Sequence, residues 1–225
     1  MTNPVIIGNA TLILGDGRLL LPEYRPDAII SDPPYGIGFA HGGRDGKRHG
    51  TRFAGRHIVG DDKPFDPSWI IERYGYLPIA LFGGNHFASR LPDSRGWLVW
   101  DKREGRGRND FADCELCWTN CDNVARLKPH MWNGMFRASE RGEARVHPTQ
   151  KPIAVMSWVM EEMGIKPGSL IADPYMGSGT TGIAALQRGC RFVGIEIDPE
   201  FFEAACRRIE DAQRQGDMLH SRAPA

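Results

Sequence analysis

The sequence predicts an α/β fold built on a mainly parallel sheet with helices on both faces. Three observations predict it. Short apolar runs alternate along the chain with segments of helical spacing, as in βαβ units. Ala28-Ile29-Ile30 is apolar without interruption, as a strand buried on both faces requires. Gly177-Ser178-Gly179 stands between one such run and a helical segment, where a strand turns tightly into a helix. The chain has 225 residues, enough for one substantial core.

The elements follow in order. Residues 10–14 form a short strand ending at Gly15-Asp16-Gly17, and residues 28–30 form a buried one. Residues 36–63 are rich in Gly, Arg and His and have no period, so a mobile basic loop is expected there. Asp66-Pro67 reads as an N-cap with proline at the first helical position, opening a helix through about Tyr74. Residues 79–82 and 97–100 are strands with a short helix around His86–Arg90 between them, and 113–119 is a further strand. Residues 120–146 read as irregular and basic. A helix over 152–163 carries Ile153, Met156, Val159 and Met160 on one side. Then come a strand at 169–172, a helix at 180–188, a strand at 191–197 and a helix at 199–212, with a frayed end. The chain shows no internal repeat.

Composition excludes some classes. Hydrophobic residues make up 41% and charged ones 25%, and the formal net charge is zero, so bulk charge selects no partner. No run is long enough for a membrane span, and no secretory pattern opens the chain. Five cysteines do not make a disulfide scaffold, and a reducing cytoplasm is the expected compartment. Positive charge is local. Arg44, Lys47, Arg48, Arg52 and Arg56 face only Asp45 within 41–57; Arg126, Lys128, Arg137, Arg141 and Arg145 crowd 126–145. These are either a polyanion-facing side or solvated loops.

Three motifs carry chemistry. Asp32-Pro33-Pro34-Tyr35 follows the buried strand. It combines a carboxylate, a stiff backbone and an aromatic face, which suit holding a planar amine during transfer to its nitrogen; alone it is also a plain turn. Asp173-Pro174-Tyr175-Met176-Gly177-Ser178-Gly179-Thr180-Thr181 brings backbone amides to a ligand at a helix start. The next strand ends in Glu196, placed to accept hydrogen bonds from a ribose diol. Gly177, Gly179 and Gly182 also fit the dinucleotide spacing, although Asp173 would repel a pyrophosphate. His147-Pro148-Thr149-Gln150-Lys151-Pro152 precedes a helix and reads alone as a helix entry.

Taken together and in this order, the three motifs resemble the amino-group DNA methyltransferases, which use S-adenosylmethionine to modify adenine N6 or cytosine N4. The catalytic motif comes first and the glycine turn last, which is similar to the family's beta class. The resemblance implies a Rossmann-like, mostly parallel seven-stranded sheet with the last strand antiparallel, in a single domain over 1–225 with a small recognition insertion. It implies cofactor contacts from Asp173, Tyr175, Gly177, Gly179, Thr180 and Glu196, with Pro174, Ser178 and Thr181 in the same turn. Thr149, Gln150 and Lys151 would close over the methionine end, and Asp16 would lie near the cofactor adenine. It implies DNA as partner, and the basic segments then offer Arg44, Lys47, Arg48, Arg52 and Arg137 as candidate contacts. The segment 120–146 is short for a beta-class recognition region, so the 36–63 loop would share that work, and a homodimer is left open as a source of DNA surface. The enzyme would be a restriction–modification or orphan methylase.

The implied chemistry is simple. An adenine amine is a poor nucleophile because its lone pair is delocalised. Asp32 and the Pro33 carbonyl would accept its two N–H groups, the prolines would hold the turn, and Tyr35 would stack on a base flipped from the duplex. Cytosine C5 transfer needs a cysteine nucleophile, and no cysteine here follows a proline. Adenine N6 is preferred; cytosine N4 is the alternative, because N4 enzymes more often carry serine where Asp32 stands. A catalytically inactive DNA-binding relative is the distant alternative. Cys114, Cys117 and Cys121 with His130 are set aside as a metal site in favour of a strand. His86 is either a substrate contact or a helix entry. Trp132, Phe136 and Arg137 are either a nucleic-acid contact or an anchor for their segment.

Overall fold

The structure is a computed structural model that describes residues 3–38, 58–106, 112–122, 124–133, 136–143 and 145–220, with side chains described as far as 216. Strands β1 (Val5–Ile7), β2 (Ala10–Leu14), β3 (Ala28–Ser31), β4 (Ile79–Phe82), β5 (Gly96–Asp101), β6 (Cys114–Thr119), β7 (Arg126–Pro129), β10 (Leu170–Asp173) and β11 (Arg191–Glu196) form one sheet. Its order is β1-β2-β11-β10-β3-β4-β6-β5-β7. Strands β8 (Trp132–Asn133) and β9 (Phe136–Arg137) make a small separate antiparallel pair. The helices are α1 (Gly17–Leu20), α2 (Ser68–Tyr74), α3 (Ile153–Glu162), α4 (Thr180–Gln187) and α5 (Pro199–His220).

The sheet is α/β and mostly parallel, as expected, but has nine strands rather than seven among the described residues. Two are antiparallel to their neighbours: β1 at one edge, and β6 between β4 and β5. The extra strands lie at the edges. Strand β1 is apolar but only three residues long and largely exposed, and β7 has mostly exposed residues, so neither reads as a buried strand. Strand β7 also falls inside 120–146, which is therefore more regular than its composition suggests. Helix α2 starts at Ser68, with Pro67 as its cap, because Asp66 accepts hydrogen bonds from the Ser68 N–H (3.0 Å) and hydroxyl (2.6 Å). Helix α5 runs to His220, well past 212. No described helix is long and apolar enough to cross a membrane.

Residue alternation along the strands creates two cores. Ala28, Ile30, Ala80 and Phe82 face α3, α4 and α5, with Val155, Ile183, Ala205 and Ile209 among their partners. Ile29, Ile79, Leu81 and Ile195 face Ile70 and Tyr74 of α2. The β10–α4–β11 crossover therefore covers one face and the β3–α2–β4 crossover covers the other. They depart in opposite directions from the neighbouring strands β10 and β3. Such a switch point opens a crevice at the carboxyl ends of the strands.

Asn120 ties the sheet to the loop before β4. It donates to the carbonyls of Leu77 (2.7 Å) and Gly75 (3.1 Å) and accepts from the Ile79 N–H (2.7 Å). The α4–α5 face rests on Phe192 of β11, which is 1% exposed. Phe192→Ala should destabilise the fold by about 3–5 kcal/mol, the usual cost of emptying a buried aromatic site. Urea unfolding checks this as a lower midpoint at unchanged slope.

Candidate active site

Strands β2, β3, β4, β10 and β11 deliver their carboxyl ends to one edge of the sheet. The antiparallel β6 delivers its first residues there as well, since Cys117 pairs with Phe82 and Glu115 with Trp100. Acidic side chains gather at this edge. Asp173, 2% exposed at the end of β10, accepts from the Ser31 hydroxyl (2.5 Å), the Thr181 hydroxyl (2.6 Å) and the Tyr175 N–H (3.1 Å). Its carboxylate thus joins β3, β10 and the first turn of α4. Burial pushes its pKa up to about 6, against those hydrogen bonds. Glu196, 8% exposed, accepts from the Gly177 N–H (2.7 Å) and the Asp198 N–H (2.8 Å) and closes the glycine turn onto β11. Burial raises its pKa as well.

The rest of the turn is held from outside. Arg208 of α5 donates to the Ser178 carbonyl (2.6 Å) and the Thr180 hydroxyl (3.1 Å). Gly179 caps α4 and has no side chain to block its first amides. Tyr175 packs edge-on against Phe65, with ring centroids 5.5 Å apart. Asp16 caps α1 through the Arg18 N–H (2.9 Å). It lies beside the turn because a Cβ on Gly17 would stand 2.4 Å from the Pro174 carbonyl. His147 lies over Phe201 at 4.1 Å, Thr149 contacts the His147 ring, and Gln150 accepts from the Val146 N–H at 3.1 Å.

Beside this turn lies a buried chain of charge. Asp32 accepts from the Tyr35 hydroxyl (2.6 Å) and from the Lys151 ammonium (2.5 Å). The same ammonium is 3.0 Å from Glu115, whose other oxygen accepts from Lys102 at 2.9 Å. Lys151 is 5% exposed and Asp32 19%, so water screens little of this. Burial pushes the Asp32 carboxyl up, Lys151 pulls it down, and Glu115 pushes it up again. At Lys151 burial works against the charge, but Asp32 and Glu115 outweigh it and hold the ammonium protonated. Glu115 is buried too, yet Lys151 and Lys102 bring its pKa down to about 2. Burial and Asp32 push the Tyr35 hydroxyl well above its ordinary value.

Tyr35 stacks on His86, with ring centroids 4.9 Å apart and planes within 15°. Gly83 makes room for this pair, since a Cβ there would come within 2.1 Å of the Tyr35 ring. His86 therefore serves as the backing of an aromatic wall beside Asp32. Pro33 and Pro34 lie in the turn between the two side chains.

The candidate nucleic-acid residues are placed less uniformly. Arg44, Lys47, Arg48 and Arg52 lie outside the described residues. Arg137 donates to the Glu143 carbonyl (2.9 Å) and lies 5.2 Å over the Trp132 ring. Trp132 is buried in the main core and anchors its segment, while Phe136 is 60% exposed. Glu140 accepts from the Ile153 N–H at 3.1 Å, at the start of α3, and faces Arg208 at 3.6 Å. The three cysteines lie on β6 and the turn after it, Cys117 buried and Cys114 exposed.

With the geometry in place, comparison with known proteins decides the family. The model of a DNA methylase family, the N6/N4 type, matches residues 82–207, more than half of the chain. The chain belongs to this family. The match takes in Glu115, Lys151, the glycine turn and Glu196 and stops short of Asp32–Tyr35. The chain is 38% identical over 113 residues to the type II methyltransferase M2.DpnII of Streptococcus pneumoniae, across 50% of this chain and 41% of that protein. It is 27% identical over 119 residues to the type II methyltransferase M2.LlaDCHI of Lactococcus lactis subsp. cremoris, across 53% of this chain and 43% of that protein. The chain thus matches less than half the length of these curated relatives. The fold is shared with the M1.HpyAVI–SAM complex (TM-score 0.56, 20% identity, 89% of this chain and 98% of that one). It is shared also with the PvuII DNA methyltransferase, cytosine-N4-specific (TM-score 0.57, 12% identity, 93% of each chain).

Sequence reasoning missed Glu115, Lys102, Glu140 and Arg208. Glu115 had a signal: an acid within the otherwise apolar Leu116-Cys117-Trp118 neighbourhood of a strand. Asp173 offers a test of this electrostatic picture. Its folded pKa is raised from 3.8 to about 6, so the contribution to stability is full below 3.8 and is lost as pH rises through about 6. Asp173→Asn should remove this dependence. Urea midpoints measured across that window should fall more with rising pH in the wild type than in the variant.

Proposed function

We propose that this methylase transfers a methyl group from S-adenosylmethionine to the N6 amino group of adenine in DNA, on a base turned out of the duplex. One observation supports this most directly. The Ser31 hydroxyl, one residue before Asp32, sits 2.5 Å from Asp173, at the head of the glycine turn. An amine held at Asp32 and a ligand held at that turn would be neighbours.

The residues at the turn fit the cofactor. The uncapped amides that open α4 suit its carboxylate, and Asp32 and Asp173 give the edge the negative character that favours a sulfonium and an ammonium. Glu196 is the acceptor for a ribose diol, with Tyr175 and Asp16 toward the adenine. Thr149 and Gln150 lie toward the methionine end, while Lys151 has its ammonium on the Asp32 side. When bound, the cofactor supplies a methyl group on a positively charged sulfur.

The chain's own residues do the rest. Asp32 accepts one N–H of the amine and the Pro33 carbonyl the other, which turns the nitrogen lone pair toward the incoming methyl. Asp32 also stabilises the positive charge that grows on that nitrogen. Tyr35, stiffened by His86, walls the base pocket. DNA is the proposed polymer, met by the basic segments 36–63 and 120–146. The homodimer that the resemblance leaves open and the cytoplasmic location expected from the cysteine usage accompany this reading.

Cytosine N4 is the second reading, favoured by the fold shared with the N4-specific PvuII enzyme. Aspartate at position 32 favours adenine. Labelled S-adenosylmethionine and mixed-sequence DNA, digested to nucleosides, separate the two. Label on N6-methyladenine is expected, label on cytosine N4 would reverse the base, and no label on any DNA would overturn the proposal. Asp32→Ala should abolish transfer, by more than about 100-fold, while the cofactor Kd measured by calorimetry stays unchanged.

A further inference from the structure

Both oxygens of Asp32 are already occupied, one by the Tyr35 hydroxyl and one by the Lys151 ammonium. Each oxygen keeps a further lone pair, but a substrate amine must share Asp32 with these partners, and it meets the stronger acceptor when one of them gives way. Tyr35 is fixed against His86 by its stacked ring. Lys151 is different, because it has a second place to go. Glu115 Oε2 is buried, lies 3.0 Å from the ammonium and, apart from Lys151, has no hydrogen-bond partner among the described residues. Its companion Oε1 is already bonded to Lys102, so the carboxylate is fixed and charged. The rings of Phe82 and Tyr35 lie 5.2 and 5.7 Å from the ammonium and keep it in a cation-tolerant channel between the two acids.

We propose that Lys151 is a movable counter-ion for Asp32, and that Glu115 is the positioning residue that receives it when a substrate amine arrives. The inference rests on the methyl-transfer reading given above. Without DNA the ammonium neutralises a buried carboxylate that would otherwise be costly to keep ionised. With the amine in place, the ammonium passes its hydrogen bond from Asp32 Oδ2 to Glu115 Oε2, a shift far smaller than a rotamer change along its stem. Asp32 is then free to accept the amine while a positive charge stays near by. No bond is made or broken and no proton changes owner.

The groups facing Asp32 are Tyr35 on its own turn, Lys151 ahead of α3, Glu115 and Cys117 on β6, and Asp173 on β10. Lys102 acts through Glu115, and His86 through Tyr35. Glu115→Gln removes the charge of the second seat while keeping its shape. Lys151 then stays on Asp32, and Asp32 loses a negative neighbour, so its pKa falls. Lys151→Met has the opposite sign, because Asp32 loses its positive neighbour and its pKa rises.

The test is the pH profile of DNA methylation by wild type, Glu115→Gln and Lys151→Met, with cofactor Kd and thermal melting measured alongside. Glu115→Gln should lower kcat/KM by about tenfold and move the acid limb down by about one pH unit. Lys151→Met should move that limb up. Cofactor Kd should hold in both. An unmoved limb in Glu115→Gln, or limbs that move the same way in both variants, would overturn the proposal even if activity falls. A second readout needs no turnover: the 13Cε shift of labelled lysine in the DNA-free protein, with Lys151 assigned from the Met variant. The Lys151 signal should titrate at lower pH in Glu115→Gln, and an unchanged titration would overturn the proposal. A wild type that methylates no DNA but shows this NMR shift would overturn the methyl-transfer reading and leave the ion pairing standing.

Discussion

The carboxylate of Asp173 is the constraint on which the rest of the edge depends. It is fixed by donors from three elements: Ser31 from β3, 142 positions away in the chain, and Tyr175 of the turn and Thr181 of α4 close by. Removing any one would leave a buried charge short of a partner, which is dearer than losing an exposed hydrogen bond. The result is a fixed spacing between the end of β3 and the start of α4. Asp32 follows Ser31 directly, so its position is inherited from a side chain that lies on another strand.

A second consequence concerns β6. A strand that runs against its neighbours brings its first residues, rather than its last, to the carboxyl edge. Glu115 reaches the edge only for that reason. Four charged groups then share a nearly dry space: Lys102, Glu115, Lys151 and Asp32. They alternate in sign, so each is offset by a neighbour, and the cost of burial is met within the row. Interrupting the row at any point strands a charge.

The central strands were legible in the sequence because double burial leaves an uninterrupted apolar run, as at Ala28–Ile30 and Ile79–Phe82. The edge strands were not, because Val5–Ile7 and Arg126–Pro129 are largely exposed and follow no pattern of burial. The acids of the edge were legible as residues at strand ends. Their partners were not: Lys151 meets Asp32 across 119 positions and Asp173 meets Ser31 across 142, and such pairings follow from sheet order rather than local spacing. Lys151 shows the limit well. Its neighbours in sequence, Thr149 and Gln150, bond locally to His147 and Val146, while its longer stem carries the ammonium to Asp32.

Glu140 sits at a left-handed backbone position, φ 53°, and from there it meets the first amide of α3 and faces Arg208, which also holds the glycine turn. One acid thereby couples the basic segment to two helices. For protein engineering this sets a rule of transplantation. A segment grafted in place of 126–146 must carry its own acid to this position, or the graft will leave Arg208 with a partly empty hand and loosen the turn it grips. The boundary of an exchangeable module is therefore drawn by an ion pair, and the nearest loop end is the wrong place to cut.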